Sequence, residues 1–420
     1  MFAQVIVDIV HENVAHTFTY AVPDDMSLSV GQRVEVPFGY RSQEGIVLEL
    51  SQEYTGDYPR EKLKSVTAPL EDYPAILPPL LSLAKQMAAQ AHCPLAETLR
   101  LMLPAEMRGG RVHVRLLTVA SIDFPPEQLE EKLQTVRRSA KQRMLLTLLS
   151  DGAQHPLTEL KQLMNDPLPV LHRLEELGLV RVAQVESLRT PPGDSEAASD
   201  PPLTAHQREV LSVLQPQLEK GKGRFLLHGV TGSGKTEVFI RLVRQTLRMG
   251  RGAIILVPEI ALTPQMVSWF RSRFGASAAV IHSRLSAGER FDEWRRIRRG
   301  DARVVIGARS AVFAPVPDLG LIVVDEEHET TYLSDRHPRY DARDVAADRC
   351  EREGATLLLA SATPSILSFA RARRGDYTLL EMPARVHNRP LPQVELVDMR
   401  KELEDGNRSI FSGVLQTRIR

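Results

Sequence analysis

The sequence has few cysteines, few aromatic residues, no excess of either charge and no long hydrophobic run. Cys93 and Cys350 lie far apart without CxxC spacing, which excludes a disulfide framework and a cysteine zinc site and favours a reducing compartment. Lys plus Arg and Asp plus Glu both total 53, so any site for a polyanion must be a local patch. No apolar run approaches the roughly 20 residues that span a bilayer. The opening MFAQVIVDIV has no basic region or cleavage site, so it predicts a first strand and a cytoplasmic protein.

The residue pattern along the chain predicts a multidomain α/β protein. A length of 420 residues is typical of roughly two to four domains. Short alternating apolar stretches from Val5 to Leu50 indicate a small antiparallel β unit. From Ala75 to Leu103 the apolar residues recur with a helical period, so we expect helices against one face of that sheet. Residues 1–105 are therefore predicted to form a β-rich first domain.

Three further regions follow the β-rich domain. Residues 106–188 contain three amphipathic segments, a stop at Gly178 and the strand-like LVRVAQVESL, which together predict a winged-helix domain with a β wing. Such domains contact DNA or only protein, and the sequence leaves both open. Residues 189–202 are rich in proline and predict a solvated linker. In residues 203–385, apolar runs alternate with charged helical segments, as in a parallel sheet buried on both faces.

A phosphate-binding loop stands at the start of this last region. The stretch GVTGSGKT matches G-x-x-x-x-G-K-[ST] between the strand-like FLLHG and a helical segment, which is the context that the motif requires. Glycines let backbone N–H groups and a helix N-terminus face phosphates, while the lysine neutralises them and the threonine hydroxyl binds Mg²⁺. The predicted ATP-binding residues of the loop are Gly229, Val230, Thr231, Gly232, Ser233, Gly234, Lys235 and Thr236.

An acidic motif, DEEH, follows the apolar stretch LIVV about 90 residues after the loop. In phosphate-binding-loop enzymes an aspartate in this place holds Mg²⁺ and a neighbouring glutamate orients the attacking water. An acidic helix start is the alternative, but the combination with the loop favours the catalytic interpretation. We therefore predict Asp325, Glu326 and His328 as catalytic residues beside Lys235 and Thr236, with Mg²⁺ held by Thr236 and Asp325.

Three more motifs complete an ordered set. LTAHQ precedes the loop by about 20 residues, LVPEIALT follows the loop helix, and SAT follows the apolar LLLA. With the two motifs above, they resemble a superfamily 2 helicase, in which Gln207 would belong to the nucleotide site and Ser361 and Thr363 to a coupling element. GVTGSGKTEVF, LVPEIALTPQ, IHS, GARSAVFAP and DEEHE resemble, more narrowly, the PriA family of replication-restart helicases.

This resemblance implies an ATP- and Mg²⁺-dependent 3′–5′ DNA helicase that recognises stalled or branched forks and initiates primosome assembly. It implies partners as well: forked DNA with a 3′ end, single-stranded DNA, other primosome proteins and single-strand binding protein. In the first domain the matching residues for a pocket around a terminal base and its 3′ hydroxyl are Phe18, Tyr20, Gly39 and Lys64. Packing on one strand face is the alternative for the two aromatic residues. Thr19 stands where better-known members carry an acid, and an acid accepts the stronger hydrogen bond.

Other expectations concern coupling and the end of the chain. Tyr332 and Tyr340 follow DEEHE, where the family has an aromatic-rich coupling segment. After Pro364 only 56 residues remain, fewer than the roughly 100 of a second helicase lobe. We therefore expect a truncated member with little activity of its own, in which residues 386–420 begin the region leading to the absent lobe. Zinc is expected only in a full-length relative.

Two alternatives remain open at this stage. The chain could be a non-hydrolysing fork-binding fragment with a nucleotide-sensing lobe, whereas a small-molecule kinase is disfavoured because it needs neither SAT nor a winged helix. Ten arginines against four acids between Arg271 and Arg309 could bind phosphates or simply solvate a helix.

Overall fold

A computed structural model describes residues 1–11, 16–54, 56, 58–110, 112–189, 201–386 and 393–419. Residues 190–200 of the predicted linker, and residues 387–392 of the predicted C-terminal region, lie outside the described residues. Within the described ranges the chain forms three sheets. No helix in these ranges is long and apolar enough to cross a membrane.

The first sheet is antiparallel and has the order β2-β1-β4-β3-β5. Two helices pack on one of its faces, where Leu80, Leu83 and Leu99 join Ile6 and Ile46 in one buried cluster. This confirms the predicted helix-covered β unit. The elements are β1 (Phe2–Val7), β2 (Phe18–Ala21), β3 (Arg33–Phe38), β4 (Arg41–Ser51), β5 (Ala68–Pro69), α1 (Pro78–Ala91) and α2 (Leu95–Met102).

The second sheet has the order β7-β6-β8 and carries the short helices expected of a winged-helix domain. The elements are β6 (Leu116–Ile122), α3 (Leu129–Thr135), α4 (Ala140–Leu148), β7 (His155–Pro156), α5 (Leu157–Leu163), α6 (Leu168–Glu176) and β8 (Val180–Glu186). The predicted strand after Gly178 is confirmed as β8, while its role as a wing stays a prediction. It pairs along its full length with β6, which precedes the helices and which the sequence patterns did not reveal.

The third sheet is parallel and has the order β11-β12-β10-β13-β14-β9-β15. Every residue of β10, β12, β13 and β14 is buried, which explains the continuous apolar runs. Its elements are α7 (Ala205–Lys220), β9 (Arg224–Gly229), α8 (Lys235–Arg248), β10 (Gly252–Leu256), α9 (Pro264–Phe274), β11 (Ala278–Ile281), α10 (Ala287–Arg299), β12 (Val304–Gly307), β13 (Leu319–Val324), α11 (Ala342–Glu353), β14 (Thr356–Ser361), α12 (Ile366–Arg374) and β15 (Thr378–Met382); α13 (Met399–Glu404) and α14 (Gly413–Ile419) follow.

Helix α10 fastens the parallel-sheet lobe to both preceding units. Arg290 pairs with Glu106 of the first unit at 2.7 Å, and Arg295 and Arg299 both pair with Glu186 at the end of β8 at 2.8 Å. Arg295 is 8% exposed, so α10 is neither a solvated helix nor an open phosphate site. The sequence analysis offered two interpretations of the arginine-rich segment, a phosphate site and a solvated helix, and both are wrong for α10. The acids that neutralise its arginines lie more than 100 residues away in the sequence.

Candidate functional site

The phosphate-binding loop lies between β9 and α8 and depends on glycine at two positions. Gly232 and Gly234 have φ angles of +81° and +83°, in the left-handed region where side chains are strained. A Cβ on Gly234 would also collide with Nε2 of Gln207. The loop therefore needs glycine at Gly234 for both backbone conformation and space.

Two polar groups of the loop are buried in a way that suits a phosphate ligand. Lys235, at the first position of α8, is 8% exposed. Its Nζ donates to the carbonyl of Gly229 at 2.9 Å and lies 4.0 Å from Oε1 of Glu326. The Ser233 hydroxyl is buried without a hydrogen-bond partner among the described residues. Because unpaired buried polar groups cost free energy, these atoms fit a loop that receives phosphate oxygens.

The acidic motif follows β13 and includes a carboxyl with a perturbed pKa. Removal from water, followed by repulsion from Glu326, raises the pKa of Asp325 from 3.8 to about 6. One oxygen of this carboxyl accepts the backbone N–H of Glu326 at 3.0 Å. A divalent cation would reverse the penalty, so the donor set of Asp325 and the Thr236 hydroxyl fits Mg²⁺ held jointly with phosphate oxygens. No group of three or more His, Cys, Asp or Glu side chains suited to a metal ion occurs in the part of the chain that the structure describes.

The predicted coupling residues after β14 meet the acidic motif directly. Nδ1 of His328 lies 2.8 Å from the Ser361 hydroxyl, which also accepts the backbone N–H of Thr363 at 2.9 Å. The same ring nitrogen lies 3.7 Å from Glu326. Adjacent parallel strands therefore bring His328, Ser361 and Thr363 together beside the catalytic candidates.

Glu327 is a residue of this site that the sequence analysis did not single out. Its side chain is fully buried, and it accepts the Ser365 backbone N–H at 2.6 Å and the Ser368 hydroxyl at 2.7 Å. Arg343 donates to its carbonyl at 2.7 Å. Glu327 therefore fastens the start of α12 to the acidic motif, and the only signal in the sequence is an acid in the third place of DEEH.

Gln207, Tyr332 and Tyr340 lie near the nucleotide site, and their side chains already contact other residues of the protein. The Gln207 amide caps α7 with Thr204 and donates to the carbonyl of Gly234 at 3.1 Å. Tyr332 is 1% exposed and its hydroxyl donates to the carbonyl of Asp325 at 2.6 Å. Burial raises the pKa values of Tyr332 and Tyr340. Any coupling through Tyr332 must therefore act through the backbone of Asp325, since its ring is not available to stack on a base.

A second candidate site is a cavity of about 390 Å³ in the first unit. All four predicted residues, Phe18, Tyr20, Gly39 and Lys64, line it. Within this lining, Nζ of Lys64 donates a hydrogen bond to the carbonyl oxygen of Gly39 at 3.1 Å. Sequence reasoning missed a set of lining residues at the end of β3 and in the loop between β4 and β5, namely Phe38, Tyr54, Tyr58 and Lys62.

The residues of β2 in this cavity have different roles. The ring of Phe18 packs edge-on against Phe38 with centroids 5.1 Å apart. Tyr20 is 4% exposed, its hydroxyl donates to Pro37 at 3.3 Å, and burial raises its pKa. The packing interpretation thus holds for Tyr20, and Phe18 is the better stacking candidate. The hydroxyl of Thr19 accepts a hydrogen bond from Gln4 at 2.9 Å.

Comparisons with known proteins match two family models to the regions that contain these two candidate sites. The model of the PriA 3′ DNA-binding domain matches residues 4–104, and the model of the DEAD/DEAH box helicase matches residues 204–370. Replication restart protein PriA of Bacillus subtilis is 35% identical over the whole of this chain and 60% of its own length. The chain is similar to PriA proteins along its whole length. PriA of Synechocystis is 34% identical over 95% of the chain and 57% of its own length.

The chain thus spans about 60% of the length of these PriA relatives. Its helicase-type domain implies the use of a nucleotide and Mg²⁺, and its 3′ DNA-binding domain implies DNA as a partner. A solved structure of RecG bound to a three-way DNA junction is 23% identical over 51% of this chain and 30% of that one, with a TM-score of 0.38, which is too low to add to the assignment.

Proposed function

We propose that the chain carries the first lobe of an ATP-dependent DNA helicase together with the domain that captures a 3′ DNA end. The observation that carries the nucleotide site is the convergence of two motifs more than 80 residues apart, with Nζ of Lys235 lying 4.0 Å from Oε1 of Glu326. Asp325 supports the proposal because its raised pKa is typical of a functional carboxyl.

Each residue of the nucleotide site has a role that follows from its position. Lys235 leaves the Gly229 carbonyl to neutralise phosphate oxygens, and Thr236 and Asp325 would hold Mg²⁺. Glu326 orients the water that attacks the terminal phosphate. His328 connects Glu326 to Ser361, and through Ser361 to Thr363, because its Nδ1 lies near both the Glu326 carboxylate and the Ser361 hydroxyl.

The proposal for the whole protein follows its relatives. We infer a 3′–5′ DNA helicase that recognises stalled or branched forks and initiates primosome assembly, consistent with the name replication restart protein of the relatives. Forked and single-stranded DNA, other primosome proteins and single-strand binding protein are its proposed partners. Phe18 would stack on the terminal base, while Lys64 and Lys62 would meet its phosphates.

Binding of a fluorescent ATP analogue with Mg²⁺ tests the nucleotide site. Lys235→Ala should weaken binding about 10- to 100-fold, since a charge-assisted hydrogen bond contributes roughly 1.5–3 kcal/mol. Lys220→Ala, on the exposed end of α7, is the matched control and should bind like the parent. Equal affinity of the Lys235 variant and the parent would overturn the assignment. Binding without fork-stimulated hydrolysis would instead favour the non-hydrolysing fork-binding fragment.

A further inference from the structure

The segment that follows β15 lies against the phosphate-binding loop. Strand β15 pairs in parallel with β9, and this pairing ends where Met382 meets Gly229, the first residue of the loop. The Val230 backbone N–H donates to the carbonyl of Met382 at 3.1 Å, and the Val386 backbone N–H donates to the carbonyl of Gly232 at 3.0 Å. The chain from Met382 to Val386 therefore runs alongside the loop and is held to it at both ends.

Arg385 is the cation that this arrangement brings to the loop. Its side chain is half-buried. A Cβ placed on Gly232 would lie 3.9 Å from Cγ of Arg385, which is its nearest described neighbour beyond the adjoining residues of the loop. Because Gly232 has no side chain, the stem of Arg385 can approach the loop backbone closely. The next residue, Val386, lies beside Gly234 in the same way, so the segment contacts two glycines of the predicted ATP-binding loop.

The charge of Arg385 is not neutralised by the protein around it. Its guanidinium makes no ion pair or hydrogen bond with any residue that the structure describes. By contrast, Arg371 of α12 pairs with Asp344 at 2.9 Å, and Arg374 pairs with Asp376 at 3.7 Å. A half-buried cation without a partner loses hydration and gains no acceptor in return. An anion bound at the loop would supply the acceptor that Arg385 lacks.

The charges of the nucleotide site favour a further cation. Asp325 and Glu326 bring two carboxyl groups to the site, and Nζ of Lys235 already lies 4.0 Å from Glu326. A triphosphate adds negative charge that Mg²⁺ offsets only in part. The backbone N–H groups of the loop face phosphates, so a side chain that lies along this loop is close to the phosphate chain. A guanidinium presents several N–H donors in one plane, a geometry that matches phosphate oxygens.

We propose that Arg385 binds the phosphate chain of the nucleotide as a second cation beside Lys235. The inference rests on the proposed function in taking a nucleoside triphosphate as the ligand of the loop. It extends the nucleotide site to a residue beyond the region that the helicase family model matches, residues 204–370. Lys235 comes from the helix that follows the loop, whereas Arg385 comes from the segment after β15, at the edge of the parallel sheet.

Displacement of a fluorescent ATP analogue from the full chain by inorganic triphosphate, with Mg²⁺ present, tests the proposal. Inorganic triphosphate has no base and no ribose, so it reports on contacts with phosphates alone. Arg385→Ala should bind both the analogue and inorganic triphosphate about tenfold more weakly, since it loses a charge-assisted hydrogen bond. Arg385→Lys, which keeps the charge, should lose less. Urea unfolding without nucleotide should be unchanged in Arg385→Ala, because the side chain has no partner among the described residues.

Arg373→Ala is the matched control, since it removes an exposed arginine of α12 from the same lobe, and it should bind both ligands like the parent. Equal affinities of Arg385→Ala and this control would overturn the proposal. A loss confined to the analogue would also overturn it, because it would place Arg385 on the base or the ribose. A loss in Lys235→Ala without a loss in Arg385→Ala would overturn this inference alone and leave the proposed function standing. A parent that binds neither ligand would overturn both.

Discussion

At the scale of single residues, Asp325 gives the clearest dependence on pH. Its folded pKa of about 6 lies above the usual 3.8, so the folded chain binds this proton more tightly than the unfolded chain. The contribution of the Asp325 carboxyl to the free energy of unfolding is fully present below the unfolded pKa, and it is lost as the pH rises through about 6.

Asp325→Asn should therefore stabilise the chain without ligand at pH 8, by on the order of 2 kcal/mol after allowance for partial exposure, and by much less at pH 4.5. Urea unfolding at the two pH values measures the difference. A gain of the same size at both would show that the carboxyl is not destabilised by removal from water.

Sequence reasoning predicted which candidate residues the fold brings together, and it judged their surroundings less well. The order of Lys235, Asp325 and Ser361 in the sequence sufficed for this prediction, because each lies at or just after the carboxyl end of a strand of one parallel sheet, and those ends meet at one edge. The burial of Tyr20 and the hydrogen bond from Gln4 to Thr19 depend on pairing between β1 and β2. No local pattern reveals which face of β2 that pairing turns inwards.

At the scale of elements, α12 depends on one buried carboxylate. Its first residues present an N–H group and hydroxyls to Glu327. Glu326, the preceding residue, has a φ angle of +43°, a strained conformation for a residue with a side chain. Glu327 is thus an anchor that helps to hold Glu326 in its left-handed turn.

Glu327→Ala should lower the free energy of unfolding by about 3 kcal/mol, because it leaves several buried donors unpaired. Glu327→Gln, which keeps one acceptor oxygen, should cost less. Glu404→Ala, at an exposed position in α13, is the control and should change stability little. Urea denaturation measures all three, and a Glu327→Ala variant as stable as the control would contradict the anchoring role.

Helices α1 and α2 and the alternation of the parallel sheet followed from periodicity, whereas β6 and the role of α10 did not. A strand such as β6 acquires its identity from a partner far along the chain, since Leu116 pairs with Glu186, 70 residues later. Charge runs present the same difficulty. The composition of α10 is typical of a solvated helix, and only the folded structure shows that Glu106 and Glu186 pair with its arginines.

At the scale of the whole molecule, Glu186 links the predicted winged-helix domain to the parallel-sheet lobe through Arg295 and Arg299. Glu186→Ala should increase amide hydrogen exchange in β8 and α10 while leaving nucleotide binding unchanged. The effect on overall stability should be small, on the order of 1 kcal/mol or less, because the Glu186 side chain in both pairs is about half exposed.

Glu351→Ala is the control for this experiment, since it removes from within the lobe an exposed pair with Arg224 of nearly the same length, 2.7 Å against 2.8 Å. Exchange in β8 that is the same in both variants would mean that the domains are held together by other contacts.

Capture of a 3′ DNA end by the aromatic cavity is measured by fluorescence anisotropy with a 3′-ended single strand. The parent should bind a strand with a free 3′ hydroxyl several-fold more tightly than the same strand with a 3′ phosphate. Phe18→Ala should lose about tenfold in affinity and most of that preference, since stacking contributes roughly 1–3 kcal/mol per base. Tyr40→Ala, which removes a fully exposed ring beside Gly39, should bind like the parent. Equal binding of the two strands by the parent, with no loss in the Phe18 variant, would contradict the claim.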